Sequence, residues 1–156
     1  MPEGNDIQKV IGRVELIVRD ADPASPTFGQ VKETRKDENL VTTVGKEKIA
    51  ERAGLASPAT EGWKYLAVGK SGTAAAAGDT ALGEEVKRKE VTTRSVSGKV
   101  VTTAVLYAAT EATGAIKEAG GLSAAAAGSL YWRIVFEVLN ITSTDSLEVK
   151  HTLEFT

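Results

Sequence analysis

The chain has 156 residues, a net charge of −2, 42% hydrophobic and 26% charged residues, an ordinary globular balance in a chain long enough to bury a core. That charge supplies no field to steer nucleic acid or an anionic membrane, and no run approaches the roughly twenty apolar residues of a membrane-spanning helix. With no cysteine and one histidine, His151, the composition excludes disulfides, thiolate nucleophiles, cysteine-based zinc sites and multi-histidine metal sites within one chain.

In chain order, residues 1–9 are polar, carry no secretory-signal core, and are expected to order only by docking. Val14, Leu16 and Val18 alternate with Glu15 and Ile17, which predicts a strand. Asp22-Pro23-Ala24-Ser25-Pro26 breaks it. Gln30 to Arg35 is extended and heavily charged, as suits a protected edge strand; the two strands form an N-terminal hairpin. Thr43 is placed to cap a helix over 44–52, with Gly54 as its terminating glycine. Trp63 to Val68 reads as an apolar strand, and Asp79 or Thr80 is placed to cap a short helical turn reaching Val86. Arg88 to Ser97 and Val100 to Tyr107 read as a hairpin about Gly98-Lys99. Leu130 to Val138 alternates, with Leu130, Trp132, Ile134, Phe136 and Val138 on one face. Ser146 to Thr156 alternates more regularly, with Leu147, Val149, His151, Leu153 and Phe155 on the dry face. The alanine tracts 74–77 and 124–127, bounded by glycines, read as tight loops or close-packing segments. About seven strands with few helices predict a mainly β fold, an antiparallel β-sandwich or Greek-key barrel with one or two short helices. The organisation expected is an N-terminal arm and hairpin over 1–38 and a sandwich domain over 39–156.

Candidate chemistry is sparse. Ala67-Val68-Gly69-Lys70-Ser71-Gly72 echoes the end of a phosphate-binding loop, but the required upstream glycine position holds Lys64. His151 lies in an apolar row, which suits a planar ring filling a sheet or interface position, and no nucleophile-elbow motif accompanies it. Glu84-Glu85, Glu111 and Glu118 supply carboxylates without the aromatic platforms of a sugar cleft; Trp63, Tyr65 and Trp132 sit in strand patterns. Lys87-Arg88-Lys89 is flanked by Glu84, Glu85 and Glu90, so it reads as a solvated strand edge and not a nucleic-acid surface. Asn140-Ile141-Thr142 is a sequon of a kind common by chance. No catalytic, cofactor-binding or metal-binding residue is assigned, and no cofactor is expected.

Several segments, in order, resemble a family of tailed-phage and prophage structural proteins of tail-fibre-like type. They are Asn39 to Gly45 (NLVTTVG), Tyr65 to Gly69 (YLAVG), Gly78 to Val86 with Arg88-Lys89, Glu111 to Gly120 (EATGAIKEAG), Gly128 to Leu130 running through Arg133 to Phe136, and Asp145-Ser146-Leu147. The series spans about residues 39–156. The chain departs from the resemblance at Gly69-Lys70-Ser71-Gly72-Thr73, at the doubled glycine Gly120-Gly121, and at His151, where a bulky aromatic is expected. The resemblance implies a non-catalytic virion component made in bacterial cytoplasm, either capsid decoration or part of a tail fibre. Its expected partners are copies of itself, as a trimer, and other virion proteins such as major capsid or tail proteins, with no nucleic acid and no membrane. A carbohydrate- or receptor-binding β-sandwich and a filament subunit are the alternatives.

Overall fold

The structure, a computed structural model, describes residues 9–56 and 62–156; the expectation for residues 1–8 lies outside them. In chain order the elements are β1 (Val10–Asp20), β2 (Val31–Val41), α1 (Thr43–Gly54), β3 (Tyr65–Gly69), β4 (Glu85–Glu90), β5 (Thr93–Ser97), β6 (Val100–Tyr107), β7 (Gly114–Leu122), β8 (Leu130–Ile141) and β9 (Asp145–Phe155). All pairings are antiparallel, in the order β4-β3-β7-β8-β2-β1-β9-β6-β5. The fold is mainly β, a curled nine-stranded antiparallel sheet with one short helix, as the strand pattern predicts.

The sheet curls because two of its segments change partners along their length. β2 pairs with β1 from Val31 to Asn39 and reaches β8 only through Leu40 and Val41. On the other side, β4 pairs with β3, whereas β5, two residues further on, pairs with β6. Between them Val91 N–H donates to Lys64 O and Thr92 N–H to Ala104 O. One half is therefore β2-β1-β9-β6-β5 and the other β4-β3-β7-β8, folded face to face over a shared core.

In the first half, alternation sets the packing directly. The registers align Val18 with Leu147 and Tyr107, Leu16 with Val149 and Val105, and Val14 with His151 and Thr103, and all nine are buried. β1 thus lies between β2 and β9 and packs into the same core as the strands of 39–156. Tyr107 and Trp63 tie the halves across the core: Tyr107 OH donates to Leu66 O (2.6 Å) and Trp63 Nε1 to Thr103 Oγ1 (3.0 Å). Burial pushes the Tyr107 phenol well above its usual pKa, so the hydroxyl stays a donor.

Several expectations are corrected. The helix begins at Thr43, and Thr42 is its cap: Thr42 Oγ1 accepts from Gly45 N–H (2.9 Å) while donating to Leu130 O (2.5 Å). Its end is an extended Leu55, not a left-handed glycine. Residues 79–84 form no helical turn, because the N–H groups of Gly83 and Glu84 point at the carboxylate of Glu118. The stretch from Arg88 to Ser97 is two strands in different halves. The alternation in β8 slips twice. Leu122 pairs with Leu130 and Gly121 with Trp132, leaving Tyr131 as an extra residue; 136–138 likewise bulge opposite Lys117. Leu130 therefore joins Ala67, Leu82 and Leu122 on the outer face, away from Trp132, and Val138 is exposed. Both alanine tracts are loops, as expected.

β7 was not expected as a strand, and its doubled glycine shows why it exists. A Cβ on Gly121 would lie 2.2 Å from Trp132 Nε1, and one on Gly120 would lie 2.7 Å from Leu82 Cδ1. One glycine admits the Trp132 indole on the core side; the next admits Leu82 on the outer side. Gly121→Ala is expected to destabilise the protein by about 1–3 kcal/mol, measured by urea unfolding. Gly78→Ala, where a Cβ meets nothing within 4 Å, is the control and should stay within about 0.5 kcal/mol of the parent. Equal effects would contradict this account of the indole.

Candidate functional site

The densest polar constellation is built on two strand residues, Glu118 of β7 and Arg133 of β8, on the outer face of their half. Glu118 is fully buried and Arg133 nearly so. Glu118 Oε1 accepts from Glu84 N–H (2.7 Å) and Ser71 N–H (3.2 Å); Oε2 accepts from Gly83 N–H (3.0 Å) and Arg133 Nε (2.9 Å). Arg133 goes on to donate to Asp79 Oδ2 (2.8 Å), Thr73 O (3.0 Å) and Ala74 O (3.4 Å). Asp79 also accepts from Ala76 N–H, and this bond and the guanidinium hold its carboxyl below the ordinary range. The loop 70–84 is thereby clamped over β3, β7 and β8.

This constellation explains the phosphate-loop echo. Backbone N–H groups of Ser71, Gly83 and Glu84 do converge on an anion, as in a phosphate cradle, but the anion is the chain's own Glu118. The second alanine loop is held in a similar way. Arg88 forms a bidentate pair with Glu85 (2.7 and 2.9 Å) and donates to Ala124 O (2.7 Å) and Ala127 O (2.8 Å). Ala127 has φ 51°, a left-handed conformation that an L-residue adopts only at a cost; the arginine fixes it from outside.

The remaining sequence candidates are dispersed. Glu111 accepts from Lys89 Nζ (2.7 Å) and Ala108 N–H (2.7 Å), which lower its pKa. The Lys87-Arg88-Lys89 run is split between these ion pairs and solvent. Trp63 and Tyr131 are buried and Tyr65 is partly so, so the three form no exposed aromatic platform. Asn140 is exposed, and the Thr142 hydroxyl donates to Asp145. Among the described residues no group of three or more His, Asp or Glu side chains could hold a metal ion, and no helix is long and apolar enough to cross a membrane.

His151 occupies a slot built for an aromatic ring. It stacks on Trp132 (centroids 4.1 Å apart, planes at 7°) and meets the edge of Trp63 at 5.4 Å. Neither ring nitrogen has a hydrogen-bond partner among the described residues, and burial lowers its pKa from 6.5 to about 3. It is a neutral planar filler between two indoles. Glu118 and Arg133 went unassigned from sequence; the available signal was a lone Arg133 inside the apolar run LYWRIVF and a Lys117-Glu118 pair inside AIKEAGGL, whose period-two alternation sets Glu118 on the opposite face from Lys117.

No protein-family model, curated protein or solved structure matches the chain.

Two measurements test these assignments. Each Glu118 oxygen faces two donors, so Glu118→Gln must turn an NH2 against two of them; a loss of about 3–5 kcal/mol is expected. Limited proteolysis should then cut 70–84 before the protein unfolds. A loss below about 1 kcal/mol would show that the carboxylate does not hold the loop. For His151, the folded-state pKa lies below the unfolded one, so the unfolded chain takes up the proton first. Stability is therefore complete above pH 6.5 and falls by about 1.4 kcal/mol per pH unit as pH drops from 6.5 towards 3. His151→Phe should remove this component, flattening the difference in unfolding free energy between pH 7 and pH 4.5; an unchanged pH dependence would refute the assignment.

Proposed function

We propose that the chain is a non-catalytic structural protein of a bacteriophage virion, assembling on the particle surface as capsid decoration or as a tail-fibre component, and working as a homo-oligomer with other virion proteins as neighbours. The observation that carries this reading is the use made of the resembling segments. Residues 78–86, 111–120 and 128–136 meet in one network through Asp79, Gly83, Glu84, Glu118 and Arg133. That network clamps the small-residue loop 74–77 on the outer face, and Arg88, paired with Glu85, holds the second such loop, 124–127. Rigid loops of small residues suit close approach by another protein surface, because little conformational entropy remains to be lost on contact. The buried titratable groups also support it, since Glu118 holds a loop and His151 fills an aromatic slot. The carbohydrate-binding alternative would be favoured by exposure of Trp63, Tyr65 or Tyr131 around a cleft and disfavoured by burial of all three; Trp63 and Tyr131 lie in the core, and Tyr65 alone keeps partial exposure.

The test is the mass of the purified full chain in solution by light scattering. A discrete homo-oligomer is expected. A monomer at every concentration would overturn self-assembly.

A further inference from the structure

Among the described residues, four strands have an edge without a partner along most of their length: β8, which β2 reaches only at Trp132 and Arg133 and whose free edge is interrupted by the bulge at 136–138, and three others that differ among themselves. On β2 the side facing away from β1 is unpaired before Leu40. Six of its eleven residues are charged, and Glu33, Arg35 and Asp37 lie opposite Val18, Leu16 and Val14, on the inward face. β4 has five charges in six residues, and a register slip leaves Val86 unpaired. Charge, inward-facing charge and bulges are the devices that keep a sheet edge from recruiting another chain.

β5 has the fewest of these: no bulge interrupts it, and its one charge is the inward-facing Arg94. Its sequence, TRSVS, carries a single charge, and that one, Arg94, turns its guanidinium inward to donate to Trp63 O (2.7 Å). Its five pairs with β6 are regular. Every residue of the strand is exposed, and Val96, at 71%, is the most exposed large hydrophobic side chain described.

The turn fixes which backbone groups face out. Ser97 and Val100 flank the two-residue turn Gly98-Lys99, with Gly98 at φ 54°, so they direct their N–H and C=O groups at each other. Lys99 O faces the opposite way and accepts from Phe155 N–H (3.1 Å). Alternation along β5 then turns the N–H and C=O groups of Val96 and Arg94 outward, away from β6.

We propose that β5 is the edge through which two copies of the chain associate, paired antiparallel about a twofold axis at Val96; this deepens the self-assembly reading and rests on it. A twofold axis normal to the sheet sets each residue opposite one from the same face. Centred on Val96, it places Val96 against Val96, Ser95 against Ser97, and Arg94 against Gly98 of the second copy. The two Val96 residues then exchange both of their outward hydrogen bonds. Centring on Arg94 would oppose two guanidinium-bearing residues, and centring on Ser95 would leave each Val96 against Arg94. The contact is short, so association in isolation is weak; arrayed on a particle, many such contacts act together.

The experiment is sedimentation velocity of the full chain over a concentration series, for the parent, Val96→Pro and Val96→Lys. Proline removes an N–H that β6 does not use, a position where edge strands tolerate it; lysine adds the missing guard charge. Concentration-dependent doubling of the parent mass is expected, with dimer affinity at least about tenfold weaker in both variants and unchanged far-ultraviolet circular dichroism. If Val96→Pro fails to fold, Val96→Lys decides. Because the chain has no cysteine, Val96→Cys supplies a second readout: mild oxidation should link two copies, whereas Thr34→Cys on β2 should not link. A parent oligomer of any size that persists in both variants overturns the β5 contact and leaves self-assembly standing. A parent that stays monomeric, with no Val96→Cys cross-link, overturns both.

Discussion

The buried carboxylate of Glu118 is the constraint from which one whole half of the molecule follows. A carboxylate removed from water is stable only when its oxygens are saturated by donors, and three of its donors are backbone N–H groups of the 70–84 loop. Loop and carboxylate therefore require each other: without the loop the charge is unmatched, and without the charge Ser71, Gly83 and Glu84 leave N–H groups unpaired. Arg133 extends the arrangement to Asp79 and to the carbonyls of Thr73 and Ala74. From there it reaches the helix, since Thr43 N–H donates to Ala77 O. Helix, loop and strands are joined through one ion-pair network.

That covering decides the character of the strands beneath it. β3, β7 and β8 are buried on both faces where the loop and helix lie, so their sequences run apolar without alternation. The other half has one dry face and one wet one. β1 and β9 show this plainly, and it is why they were legible: Leu16, Val149 and their neighbours in the rows obey a period of two because one side of their sheet meets water.

Where legibility failed, a tertiary requirement outweighed the local pattern. β7 reads as no strand because glycine and alanine occupy it, yet those residues make room for Trp132 and Leu82. The expected helical turn after Asp79 met a cap signal, but the N–H groups a helix would use are taken by Glu118. The bulges at Tyr131 and at 136–138 shift the face of every residue beyond them, so Leu130 and Val138 could not be placed by counting. At the candidate site, the role of His151 as a ring in an apolar row was readable from its neighbours Val149 and Leu153. The Glu118–Arg133 pair was not: the partner loop lies far away in sequence, and nothing local announces which N–H groups will face the carboxylate.

The distribution of charge completes the argument about surfaces. On the wet face of the first half, charges are matched across strands: Arg13 with Glu154, Arg19 with Glu148, Lys36 with Glu15 and Lys32 with Asp145. Exposed pairs of this kind add little stability, Lys32–Asp145 with its buried carboxylate being the exception, but together they leave no extended field of one sign on that face. The unpaired edges of β2 and β4 are guarded by charges of their own. Among the described residues, the alanine loops held by Arg133 and Arg88, and the strand that ends at Ser97, lie outside this matching of charges. Under the self-assembly proposed above, contact at such places would require little desolvation of charge, the term that most often makes burying a polar surface unfavourable.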